Sequence, residues 1–410
     1  MDRQQPLPAT QTSTPPTSLI RLEEARQRFG DQKVQLLIEL MYTGDTLADA
    51  VIKELEELGF EARAKLNSGI KEGLEVVEQP SPAIQAFLQQ VESYPAWVDK
   101  ERLQRGSEAF LSVGNVWLTF SLGPGSLTHT YSSPSIAQVL VKTGNLTTMA
   151  QRRLLETGAW NVSSILPGGL LRGADGYATN LQVRLLHARV RQTLLRHNWD
   201  QQALGTPINQ VEMTRTWLDF TYVPFNALHK FGITFSEPEI SDMYHFWQYI
   251  AYLLGIDERL YRDIVDQASA QEILELIDNT TEGTNQDSQV LVRAMLDAVT
   301  AILQPTLKLP SSIIFDLVSA ITHHLHGNRL ADQLAIKKTW ISALMPVITL
   351  INRVQRAWNR RSPVARRCFI DRTVTAFLQI PPLQGSTTYQ RNVTEPTQQE
   401  LPKALVQQAE

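Results

Sequence analysis

Apolar residues recur along most of this chain every three or four positions, the spacing that lays them on one side of an α-helix. The pattern predicts helices over roughly 33–58, 82–91, 135–157, 178–197, 209–231, 289–303, 311–326 and 333–360. Ser236-Glu-Pro-Glu239 and Ser269-Ala-Gln-Glu272 each put a hydroxyl three residues before a carboxylate, the order in which a helix cap and a first turn satisfy each other's free amides. The first opens an apolar run through Tyr244, Trp247, Ile250, Leu253 and Leu254 that stops at Gly255, a C-terminal cap. No series of alternating strands with tight turns is visible, so the expected class is all-α. One long irregular connection is expected from Gly158 to Gly176, through Pro167-Gly-Gly169 and Gly173, and a loop of that length inside a compact chain is commonly functional.

The two helical segments flanking that connection carry the candidate chemistry. Leu181, Val183, Leu185, Leu186, Val190, Leu194 and Leu195 leave almost no polar side on the second, which marks it as buried. Arg184, His187 and Arg191 nevertheless fall within a ~60° arc of it at about 100° per residue. A buried guanidinium stays charged and needs an anion, and this helix supplies no acid nearby. Two readings are open. A haem would answer the arginines with its propionates while His187 ligates the iron, or His187 is a satisfied core histidine and the arginines pair with carboxylates from other helices. Upstream, Arg153 and Thr157 lie one helical turn apart with Glu156 beside them and Arg152 four residues before Glu156. These residues fit an oxygen-binding pair with a carboxylate base, and equally a surface salt bridge near a helix end.

Composition narrows the classes. Of 410 residues 43% are apolar and 20% charged, material for one large domain or two ordinary ones. The net charge of −4 gives no overall field for nucleic acid, so no nucleic-acid partner is expected. The single cysteine, Cys368, rules out an intrachain disulfide and cysteine-rich metal sites; it is read as buried or inert, since the glycine-bearing ligand loop of a haem thiolate is missing. Asp242 and His245 form the sole acid-x-x-His pair, where a di-iron bundle needs two, and read as capping or surface chemistry. His323, His324 and His326 read as a solvated helix end before Gly327, and the run Arg353, Arg356, Arg360, Arg361, Arg366, Arg367 as a solvated helix face. Residues 1–18 and 384–410, rich in Pro, Thr and Gln, are expected to be disordered tails around a domain at 19–383. No export signal and no transmembrane segment are recognised, the best apolar run being Trp340 to Ile351, and a cytoplasmic location is expected.

The ordered set Arg152-Arg-Leu-Leu-Glu-Thr157, Pro167-Gly-Gly169, Val183-Arg-Leu-Leu-His-Ala-Arg-Val-Arg191, Gly205-Thr-Pro-Ile-Asn-Gln210 and Trp247 to Gly255 resembles the core of the latex clearing protein (rubber oxygenase) and MpaB-type oxygenase family, over roughly residues 90–265. The resemblance implies a globin-like helical core with added helices and haem b with His187 as proximal iron ligand. It also implies Arg184 and Arg191 at the haem or its propionates, and Arg153 and Thr157 on the side where dioxygen, the co-substrate, binds. Where some members have a lysine before that threonine this chain has Glu156, a candidate base, and a carboxylate some members place about twenty residues earlier falls near Ala137. The expected activity is oxygenolytic cleavage of a carbon–carbon double bond in a small or membrane-derived isoprenoid or related lipid. A haem-binding sensor or carrier on the same fold is the alternative, and a haem-free helical scaffold a third.

Overall fold

In the computed structural model the described residues are 14–142, 146–381 and 383–394, and every regular element among them is helical. The expected helices are present with breaks that propensity does not show, except that the one expected over 333–360 begins only at Trp340, in a 3-10 turn that leads into Met345–Arg361. The stretch predicted at 33–58 divides into Asp31–Leu40 and Thr46–Leu58, the second capped by Asp45, whose carboxylate accepts from the Ala48 amide. The stretch at 209–231 breaks at Thr221 into Gln210–Phe220 and Tyr222–Lys230. Ser236 and Glu239 form the expected capping box and Gly255 follows the helix they open, Glu237–Leu253. Ser269 is not a cap: it is the third residue of Gln267–Thr280, whose cap is Asp266.

The expected long loop is mostly helix. Leu146–Ile165 runs straight through Gly158, and the connection to Asp175–Arg196 is only Leu166–Ala174. The glycines further on are there for close approach: a Cβ on Gly176 would lie 2.3 Å from the Ser163 carbonyl oxygen, so the two helices can pinch together at that end.

Leu146–Ile165 and Asp175–Arg196 pack along each other, with Thr46–Leu58 against the second and Gln286–Leu307 against the first. The larger core gathers Phe87, Phe110, Trp217, Tyr244, Trp247 and their neighbours. A smaller core lies between Gln286–Leu307 and Ser311–Gln333 and reaches Phe120 and Phe231. A π-helical stretch, Ser121–Leu127, contributes to both regions. Gln286–Leu307 is long and apolar enough to cross a membrane, which corrects the expectation of no such segment; Asp297, Thr300 and Gln304 interrupt its run in the sequence, and here 44% of its most apolar stretch is buried against the neighbouring helices.

The tails are shorter than expected. Thr17 and Ser18 donate backbone hydrogen bonds to Gln202 and Ala203. Residues 384–394 are a second correction: they include the helix Thr388–Thr394, packed on Asp175–Arg196, with Tyr389 buried in the larger core. Buried Tyr389 and hydrogen bonds with the Arg152 and Glu156 side chains hold a segment whose composition offers little else to bury. Residues 1–13 and 395–410 lie outside the described residues.

Candidate active site

A cavity of about 460 Å³ opens between the arginine-bearing helix Leu146–Ile165 and the histidine-bearing helix Asp175–Arg196. That size is ordinary for a ligand site, and its walls are mainly apolar. Val183, His187 and Val190 come from one helix; Arg153, Glu156, Thr157 and Trp160 from the other; Glu212, Met213 and Thr216 from Gln210–Phe220; and Thr388 and Tyr389 from the C-terminal segment.

His187 is one of the polar groups that this arrangement leaves unsatisfied. Its Nδ1 is enclosed and has no hydrogen-bond partner. Burial, helped by the positive charges of Arg191 and Arg153, lowers its pKa to about 4, so the imidazole is neutral and keeps a lone pair. Arg153 lines the same cavity and makes no hydrogen bond or ion pair among the described residues. Thr157 follows one turn later on the same wall.

Arg184 and Arg191, expected at propionates, have carboxylate partners from a neighbouring helix. Neither lines the cavity. Arg184 makes a two-pronged pair with Asp45, Nε to Oδ2 at 2.5 Å and Nη2 to Oδ1 at 3.0 Å, donates to Gln90 Oε1 at 2.8 Å, and lies over the Phe87 ring. Arg191 donates to Asp49 Oδ1 at 2.5 Å and to the Ile208 carbonyl at 3.0 Å. The acids missing from their own helix come from the cap and first turn of Thr46–Leu58. His187 sits at the edge of the shared arc and meets the cavity, while the longer arginine side chains reach the neighbouring helix.

Glu156 is on the cavity wall but engaged on both oxygens. Oε1 accepts from Arg152 Nε at 2.9 Å and Oε2 from Thr388 Oγ1 at 2.9 Å. Arg152 also donates to the carbonyls of Gln384 and Ser386, so this pair fastens the C-terminal segment beside the cavity.

Sequence reasoning passed over Glu212. It is buried, lines the cavity, and its Oε1 has no partner. Burial raises its pKa to about 7, against the pull of Ser135 and the more distant Arg215 and Arg191. It stands on the first turn of a helix in which nearly every residue is buried, a fact that its place in the sequence does not disclose. Also unforeseen is a buried cluster away from the cavity. His129 pairs with Asp219 at 2.6 Å and Asp278 at 3.0 Å, and Arg215 bonds to Asp278 at 3.1 Å. Burial pushes His129 down but the two carboxylates prevail and hold it near 9.

The other candidates fall outside the cavity. Cys368 is exposed, which corrects the buried reading. Asp242 pairs with Arg102 and Arg105, and His245 Nε2 accepts from the Asp99 amide, so both are interior fasteners and not surface groups. His323 is buried, and His326 bonds through Nε2 to the Pro124 carbonyl in place of solvent.

Comparison with known proteins places this geometry. Residues 112–353, more than half the chain and including both cavity helices, match the family model described as ER-bound oxygenase mpaB/B'/Rubber oxygenase, catalytic domain. The chain belongs to this oxygenase family. Within it, the rubber oxygenase of Streptomyces sp. (strain K30) is 23% identical over 264 residues, spanning 62% of this chain and 61% of the relative, so the chain aligns with less than two thirds of that protein. The solved structure of latex clearing protein LCP in the closed state superposes with a TM-score of 0.63 at 17% identity, covering 84% of this chain and 92% of that one, a likeness of fold. The family and the all-helical class expected from the sequence are both borne out, and an oxygenase is the activity class that membership supports.

Proposed function

We propose that this family member is a haem b-dependent oxygenase that cleaves a carbon–carbon double bond of an isoprenoid or related unsaturated lipid, with His187 as the proximal iron ligand. The observation that carries the reading is His187 itself: a neutral imidazole with an enclosed, unpartnered Nδ1, on the wall of a largely apolar cavity that also holds the unpaired Arg153. A core histidine kept only for packing would be expected to find a hydrogen-bond partner for an enclosed ring nitrogen. The donor set fits a haem, with His187 holding the iron.

Bound there, the cofactor would supply the activation of dioxygen. The chain's own residues do the rest. Arg153 presents N–H donors to negative charge developing on oxygen, and the Thr157 hydroxyl one turn away adds a shorter-range donor. The base role expected of Glu156 passes to Glu212, because Glu156 is tied to Arg152 and Thr388 whereas Glu212 has a free Oε1 and a pKa near 7. Glu212 can therefore take an allylic proton from the substrate and later return it near neutral pH. Both atoms of dioxygen end in the two carbonyl products, so the overall cleavage consumes no external reductant. The apolar walls, Val183, Val190, Met213 and Trp160 among them, suit an electron-rich hydrocarbon chain.

The test is spectroscopic and chemical. The purified protein is expected to show a Soret band that His187→Ala abolishes or shifts, and to convert squalene, a carotenoid or polyisoprene to carbonyl fragments labelled from isotopic dioxygen. An unchanged wild-type spectrum in His187→Ala would sink the ligand assignment, and a protein without haem would sink the reading as a whole.

A further inference from the structure

Among the described residues, one helix carries a row of exposed apolar side chains turned outward. In Met345–Arg361, about 100° per residue places Val347, Leu350, Ile351, Val354 and Trp358 within a ~100° arc. These five residues are between 55% and 69% exposed, and Trp340, just before the helix, is 67% exposed. The opposite side, which faces the protein, carries Met345 and Ile348 at its start and is polar beyond them: Asn352 Nδ2 donates to the Phe231 carbonyl at 2.9 Å, and Arg356 donates to the carbonyls of Thr234 and Ser112. An amphipathic helix on a globular body normally does the reverse.

Charge identifies what covers it. From Gln333 to Ile370 the sequence has eight Lys and Arg and no Asp or Glu, in a chain of net charge −4. Arg356, Arg360 and Arg366 share Glu239, and Arg367 is near Glu108. Lys337, Lys338, Arg353 and Arg361 have no ion pair among the described residues, and they flank the apolar arc. Trp near either end, aliphatics between and cations beside them match the requirements of an interface lying flat on a membrane: apolar side chains at the acyl boundary, tryptophans at headgroup depth, guanidinium and ammonium groups on anionic lipid.

We propose that Trp340–Arg361 docks this protein on the surface of an anionic lipid bilayer, without crossing it. A second copy of the chain is disfavoured as occupant because it would bring the same acid-free cationic band against itself. No residue of the cavity enters this argument, so it stands or falls apart from the haem reading.

The test is co-sedimentation of the full chain with vesicles of three parts phosphatidylcholine to one part phosphatidylserine, against vesicles of phosphatidylcholine alone. The protein is expected to pellet with the anionic vesicles, to do so less at high salt, and to lose on the order of tenfold or more in partitioning when Leu350→Ser and Val354→Ser are combined. Arg353→Gln and Arg361→Gln are each expected to cost roughly fivefold on anionic vesicles and to leave the oligomeric state and the circular dichroism spectrum as in the wild type. Replacing Trp340 and Trp358 by Phe should retain most binding and remove the blue shift in tryptophan emission that vesicles produce. Failure to pellet with the anionic vesicles, undiminished binding by the Leu350/Val354 variant, or a dimer that this variant splits would each overturn the proposal.

Discussion

The histidine helix and the helix Met345–Arg361 are written in the same letters, aliphatic residues and arginines at helical spacing, and they sit on the protein inside out with respect to each other. In Asp175–Arg196, Leu181, Leu185 and Ala188 are fully buried, and two arginines go inward with them because Asp45 and Asp49 meet them there. In Met345–Arg361 the aliphatics face outward and Arg356 goes inward, to carbonyl groups and Glu239. Periodicity says that a helix has two faces. Which face turns inward is decided by the partner that another part of the chain provides.

The largest way to break that contrast is to remove the partner. Asp45→Ala leaves the Arg184 guanidinium, 3% exposed, without its carboxylate, and breaking one side of a buried pair costs about 3–5 kcal/mol. Asp45 also caps Thr46–Leu58, so the loss of the cap adds to the effect. Urea unfolding should show the midpoint falling accordingly. A polar substitution at Leu350 on the outward helix should move it by no more than about 0.5 kcal/mol. Equal losses at the two positions would mean that the outward helix is packed in solution.

A second prediction sharpens the contrast within the cavity, where one acid has a partner and the other does not. Burial raises the folded pKa of Glu212 to about 7, from the 4.5 of a solvated glutamate. Between those pH values the folded protein holds a proton that the unfolded chain has released, so this group's stabilising contribution is present below the lower value and is lost as pH rises through the upper one. Glu212→Gln should therefore gain on the wild type between pH 5 and pH 8, by about 1–3 kcal/mol in urea unfolding. A difference that does not change with pH would show that Glu212 is solvated or paired.

What the sequence made legible follows the range of the interactions. Helix caps are local, and Ser236 with Glu239 could be placed from four letters. The reading of Arg184, His187 and Arg191 as one inward-facing group on a buried helix agrees with the burial of both arginines and with His187 on the cavity wall, because all-round apolarity reports burial. It could not choose between propionates and acids of another helix for the arginines, because Asp45 and Asp49 stand 139 and 142 positions earlier, beyond any spacing rule. Tyr389 was invisible for the opposite reason: its neighbours in the sequence are polar, and the apolar surface that receives it comes from other helices. Glu212 was passed over because a lone carboxylate in a helical run has the same appearance buried or exposed.

The smallest prediction concerns the residue that misled the element boundaries. Gly158 was read as the start of a loop because glycine costs a helix about 1 kcal/mol relative to alanine. The helix continues for seven residues beyond it to Ile165, and a Cβ built on Gly158 meets nothing within 4 Å. No positive φ or close approach requires glycine there, unlike Gly176, where a Cβ would press on the Ser163 carbonyl. Gly158→Ala should therefore raise stability by about 0.5–1 kcal/mol, by narrowing the unfolded ensemble, whereas Gly176→Ala should lower it. Because position 158 follows Thr157 directly, the Soret spectrum and product yield of Gly158→Ala report on the same helix: both should match the wild type if the turn carrying Thr157 is already rigid. A gain in stability with a loss of turnover would instead show that this glycine is kept for motion of the cavity wall.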